Sequence, residues 1–245
     1  MKKLLLIIPF LFFVKLAQAE EMQHGDDQQI FHEFTLSSEF GEARDNRERF
    51  LEFEGWIGGD YNRLWLDYEN KIFYKHEKEE QIEALYSRNI SEFWDAKIGI
   101  RHDFANNFPT EENEPQSKKL DYLTLALDGV APFMIDTNLE IYLSENSDWS
   151  AKLECSSDIS LTQKLITTPY VEGDFFAQAV PELDVKSGLA EIETGIVTRY
   201  EITRKFAPYF ALRYHAQTFS TANIGLKNHE RVDDFIVAGG IRLTF

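Results

Sequence analysis

A single cysteine stands in this 245-residue chain, with only three methionines, six histidines and seven prolines. Cys155 alone excludes an internal disulfide, so the fold must hold by other means. No Cys or His cluster shows the spacing of a structural or catalytic metal site. Motifs of catalysis are also missing: there is no G-x-S-x-G, no H-E-x-x-H, no phosphate loop and no dinucleotide fingerprint, and a non-enzyme is expected. Positive charge is scarce, with 25 Lys and Arg against 42 Asp and Glu and a net charge of −17. That balance excludes nucleic acid as the default partner, because phosphate binding needs the opposite sign. Beyond the first fifteen residues no run approaches the ~18 apolar residues of a spanning helix.

The first residues are themselves informative. "MKKLLLIIPFLFFVKLAQAE" has a basic start at Lys2 and Lys3, an apolar stretch from Leu4 to Val14, and Ala17-Gln18-Ala19 as a cleavage site. This is the pattern of a secretory signal peptide cut after Ala19. Its loss removes three lysines and no acid, leaving the mature chain near −20 from the −17 of the full sequence. The expected organisation is signal peptide 1–19, a short acidic periplasmic tail 20–28, and one barrel over 29–245, since nothing Pro-, Gly- or Ser-rich divides the remainder.

What fills the chain is alternation. About a dozen segments switch polarity at every residue between clusters of turn formers, and almost no helical period is sustained. In Phe93–Phe104, Trp94, Ala96, Ile98, Ile100 and Phe104 oppose Asp95, Lys97, Gly99, Arg101 and Asp103. Cys155 falls in phase with Trp149, Ala151 and Leu153, as a small apolar residue on a buried or lipid-facing face. Strands are expected near 29–40, 47–56, 61–69, 79–89, 93–104, 120–129, 132–144, 149–158, 161–175, 188–201, 207–219 and 232–245, with 161–176 the least regular. Two architectures suit such segments, a soluble sandwich or an outer-membrane barrel. The connections decide: those at 57–60, 90–92, 130–131, 159–160 and 203–207 are short. The alternate ones, apart from 145–148, are long and polar. Short turns on one side and long loops on the other, with an even strand count, mark a transmembrane antiparallel barrel of about 12 strands.

The end of the chain fits. "IVAGGIRLTF" puts Phe235, Val237, Gly239, Ile241, Leu243 and Phe245 on one face, so the last strand would pair with the first and abolish the sheet edge. Trp56, Trp94, Tyr200 and Phe245 fall near strand ends, where an interfacial aromatic girdle would place them. A terminal aromatic after alternating apolar residues also resembles the signal read by outer-membrane assembly machinery, so that machinery and outer-membrane lipids are expected partners.

"GWIGGDYNRLWLDYE", from Gly55, resembles the signature hairpin of the copper resistance protein B family, with Gly58 and Gly59 expected to form a tight turn with positive φ. In the same order "ALYSRNISEFWDAKIGIRHDF", "LALDGVAPFMIDTNLEIYLSE", "LTQKLITTPYVE", "SGLAEIETGIVTRYEITRKFAPYFALRY" and "FIVAGGIRLTF" are similar to that family, covering Gly55 to Phe245. The resemblance implies a Gram-negative outer-membrane barrel with a periplasmic N-terminus and a role in copper tolerance, binding copper ions or moving them across the membrane. Periplasmic copper-handling proteins would then be partners. One departure stands out: typical members carry a long Met- and His-rich N-terminal tract suited to copper, whereas the leader here offers only Met22, His24 and His32.

Further candidate copper ligands are Met134 with Asp136 and Glu140, read as sharing one face, and His215 beside Arg213. Inward Asp, Glu and Arg of a small barrel also satisfy one another without metal. His76 and His229 fall in outer loops, and His102 near a strand end. Two other functions remain open: a general small-solute or purely structural barrel without metal specificity, and a surface interaction protein that works through its long loops.

Overall fold

The computed structural model describes residues 30–43, 47–73, 77–107, 117–180, 185–218, 221 and 232–245. The signal peptide and acidic tail expected at 1–28 lie outside the described residues, as do Met22 and His24.

Thirteen strands follow in order: β1 (Phe31–Glu42), β2 (Arg47–Gly58), β3 (Asn62–Phe73), β4 (Glu77–Ser91), β5 (Trp94–Asn107), β6 (Ser117–Ala131), β7 (Ile135–Ser144), β8 (Trp149–Ser156), β9 (Ile159–Ser160), β10 (Leu165–Phe176), β11 (Gly188–Tyr200), β12 (Phe206–Gln217) and β13 (Asp233–Thr244). Twelve of them form the wall. The two-residue β9 lies against Ile166 and Thr167 of β10 within a turn. Each wall strand pairs antiparallel with its neighbour, and β13 returns to β1 from Thr35↔Thr244 to Glu42↔Val237, closing the sheet. Phe245 extends the seam, donating its backbone N–H to Phe34 O at 2.9 Å. Closure leaves no unpaired edge, which a sheet inside hydrocarbon cannot tolerate.

The distribution of apolar residues is inverted relative to a soluble domain. Ile100 is 67% exposed and Phe235 53%, and Leu64, Leu125, Val171 and Phe210 are exposed on the same outer surface. Residues of the alternate parity point inward: Glu39, Glu83, Ser87 and Thr124 are all nearly inaccessible. This is the apolar-out, polar-in alternation of a membrane barrel. Cys155 follows it, standing opposite Thr137 and Val171 on the outward parity of β8.

The twelve wall strands match the expected segments, including the irregular one, whose first residues, 161–164, turn back from β9 before β10 begins. Three local readings are corrected. The sixth hairpin turns at 132–134, not 130–131, because Phe133 (φ 70°) and Met134 (φ 59°) both take left-handed conformations. The GWIGGD turn does not rest on positive φ, since Gly188 is the one glycine with that conformation among the described residues. Gly58 is instead needed for close approach: a Cβ there would lie 2.2 Å from Asn62 O. Trp56 is no girdle residue. It pairs across the inward face with Trp65, ring centroids 6.2 Å apart, under the guanidinium of Arg63 at 4.8 Å.

Turns at 59–61, 92–93, 132–134, 157–164 and 201–205 share one end with both termini of the barrel. The other end carries the connections 43–46, 74–76, 108–116, 145–148, 177–187 and 218–232. Three of the connections at the second end, 43–46, 74–76 and 145–148, are as short as the turns of the first, so the expected segregation of short turns and long loops holds only for 108–116, 177–187 and 218–232.

Candidate functional site: the barrel lumen

Register fixes which side chains meet inside. On the wall built by β2, β3 and β4, Glu54, Asp67 and Glu83 stand directly opposite one another, and Glu52 faces Glu69 on the adjoining rung. Like charges directly across a strand pair destabilise it. None of these five carboxylates has an ion-pair partner among the described residues. Glu83 accepts a hydrogen bond from Thr124 Oγ1 at 2.6 Å, while Asp67 Oδ1 is buried with no hydrogen-bond partner. A second acidic row crosses the far wall, Glu154 opposite Glu172, Glu172 opposite Glu193, and Glu193 opposite His215.

Several other lumenal carboxylates are neutralised by cations. Arg213 reaches Glu39 at 2.6 Å, Glu48 at 3.4 Å and Glu193 at 4.0 Å. Lys152 pairs with Glu172 and Lys97 with Asp128, both at 2.9 Å, and Arg101 holds Asp103 at 2.7 Å. Tyr170 donates to Glu193 at 2.5 Å. Such bonded pairs keep inward charges tolerable in a narrow bore. Glu52, Glu54, Asp67, Glu69 and Glu83 make no such pair among the described residues. A field of one sign in a low-dielectric channel concentrates cations and repels anions.

At the end that carries both termini Arg199 pairs with Asp158 at 2.5 Å and with Glu201 at 3.6 Å. The Arg199 hydrogen bond holds the Asp158 carboxyl below the usual aspartate range, against the opposing effect of partial burial.

The candidate copper ligands do not gather. Met134 belongs to the turn, 78% exposed, and so leaves the face it was expected to share with Asp136 and Glu140. The turn breaks the alternation on which that expectation rested. Asp136 and Glu140 do point inward, where Glu140 accepts from Asn138 Nδ2 at 3.1 Å and from the Tyr142 hydroxyl. His215 lines the lumen with its Nε2 3.2 Å from Glu191 Oε2. His32 is exposed on the outward parity of β1, its ring 5.8 Å from Phe34. His102 also points outward, between Phe104 and Asp121, and His76 and His229 lie outside the described residues. No group of three His, Cys, Asp or Glu side chains converges as a ligand set among the described residues.

The wall of Glu52, Glu54, Asp67, Glu69 and Glu83 was missed as a site by sequence reasoning. Alternation in "RERFLEFEGW" and "NRLWLDYE" puts these acids on one face of each strand. Only the registers of β2 with β3 and of β3 with β4 show that they stand opposite one another.

The sequence profile described as "Copper resistance protein B precursor (CopB)" matches residues 34–245. A copper resistance protein B homolog of Pseudomonas syringae pv. tomato is 30% identical over 207 residues, 84% of this chain and 67% of the relative. Copper resistance protein B of Escherichia coli is 26% identical over 82% of this chain and 65% of its own length. The chain thus spans about two thirds of the relatives' length. Among solved structures, the KdgM porin aligns with a TM-score of 0.54 at 10% identity, covering 86% of this chain and 99% of the porin. The NanC porin gives 0.53 at 11%, over 86% and 98%. At those identities the likeness establishes the fold of an outer-membrane barrel alone. With a family profile matched along nearly the whole barrel, the chain belongs to the copper resistance protein B family.

Proposed function

We propose that the protein serves copper resistance from the Gram-negative outer membrane, after export and cleavage behind Ala19. Its lumen offers copper ions weak, exchangeable carboxylate sites, so that the ion is bound there or passed across. The observation that carries this reading is the unpaired acidic wall Glu52, Glu54, Asp67, Glu69 and Glu83, opposed in register across β2, β3 and β4. Among first-row divalent ions Cu²⁺ binds a given oxygen or nitrogen site most strongly. Passage also favours several weak sites over one tight site, since the ion must leave as well as enter. Asp136, Glu140 and His215 lie on the same inner surface as secondary contacts; His32 and Met134 would serve only outside the lumen. The role is one of binding and passage without catalysis. Lipid surrounds the outward apolar belt, and Phe245 presents the chain to the assembly machinery. Periplasmic copper-handling proteins would meet the barrel at its short-turn end.

The test is growth of a deletion strain over graded copper and, in parallel, zinc, with complementation by the intact gene. Selective copper sensitivity, restored by the gene, is the expected result. An unchanged copper response would leave a general channel or structural barrel as the better account.

A further inference from the structure

At the end that carries both termini the lumen opens into a cavity of about 360 Å³ between walls of opposite charge. Glu33 of β1 with Glu52 and Glu54 of β2 supply the acidic wall. Arg204 and Lys205 of the 201–205 turn, with Arg242 of β13, supply the basic one. None of these six makes an ion pair among the described residues, and Arg242 Nε is buried without a hydrogen-bond partner. The other two charged residues of the lining, Arg199 and Glu201, are already paired with each other.

Opposite charges in a narrow mouth normally close on one another, as Arg199 and Arg213 do with their carboxylates. Here the cavity holds the two sets apart. A bare cation would satisfy only the acidic side, and an inorganic anion only the basic side. A solute bearing both charges would complete each wall with charge-assisted hydrogen bonds, which are the strong ones. The volume accommodates a molecule the size of an amino acid.

We propose that this mouth is a binding site for small zwitterions of the amino-acid class, the carboxylate held by Arg204, Lys205 and Arg242 and the ammonium by Glu33, Glu52 and Glu54. The inference does not depend on copper handling, and its test contains no copper, so either can fail alone.

Titration calorimetry of the detergent-solubilised full barrel with 4-aminobutanoate, butanoate and butylammonium separates the possibilities. The zwitterion is expected to bind about tenfold or more tightly than either singly charged probe, the worth of one charge-assisted hydrogen bond. The exposed pair Arg204→Gln/Lys205→Gln should erase that advantage while butylammonium binding stays. Glu52→Gln/Glu54→Gln should erase it while butanoate binding stays. The heat-modifiable gel shift of each variant confirms that the barrel is folded. Butanoate binding as tightly as 4-aminobutanoate, or no zwitterion binding by folded wild-type barrel, would overturn the proposal.

Discussion

Glu39 is 1% exposed, and one of its oxygens lies 2.6 Å from Arg213 in a cluster that also holds Glu48 and Glu193. Removing the cation that pairs with all three carboxylates strands buried charge, which typically costs about 3–5 kcal/mol. Arg213→Met should therefore lower the denaturation midpoint of the refolded barrel markedly. Adding Glu39→Gln should recover part of the loss, because it removes one stranded charge. Asp158, in the 157–164 turn, and Arg199 make a milder pair, since the Asp158 side chain is 46% exposed and water screens it. Because hydrogen bonding by Arg199 lowers the folded carboxyl's pKa, the pair's contribution is present above the unfolded aspartate value of about 3.9. It is lost as pH falls through the lower folded value. Asp158→Asn should be slightly less stable than wild type at neutral pH. That difference should vanish in denaturation curves taken well below pH 4, a value about that of free aspartate.

Whole strands were legible because a membrane barrel writes its two faces into alternate residues, as Trp94–Asn107 and Asp233–Thr244 show. Turns were less legible. Gly58 was expected to supply positive φ, yet it serves close packing, with Asn62 O 2.2 Å from where a Cβ would stand. That contact is with backbone, which has no rotamer to give, so Gly58→Ala should destabilise the barrel by about 1–3 kcal/mol, as overpacking does. Urea unfolding of the refolded protein measures it. Met134 was placed on a strand face because alternation says nothing about where a turn begins, and two consecutive left-handed residues moved it out. Cys155, by contrast, was read in phase with Leu153, and its outward parity gives a direct probe of β8. In intact membranes it should resist a charged, water-soluble maleimide and react with a lipid-soluble one. Rapid labelling by the charged reagent would contradict the inside-out arrangement.

For the whole molecule, architecture and family were both readable from the chain, the first from period and loop lengths, the second from ordered blocks between Gly55 and Phe245. The lumenal site was not, because it depends on which rungs coincide once twelve strands close. Glu54, Asp67 and Glu83 are 13 and 16 residues apart in sequence but neighbours across β2, β3 and β4. Their unpaired charge is the central physical claim. Copper(II) entry into proteoliposomes, compared between wild type and the folded triple variant Glu54→Gln/Asp67→Asn/Glu83→Gln, tests it most directly. Wild-type vesicles should fill faster than protein-free ones, and the variant should lose about tenfold or more of that rate, equivalent to about 1.4 kcal/mol. A variant that passes copper as fast as wild type would contradict the account.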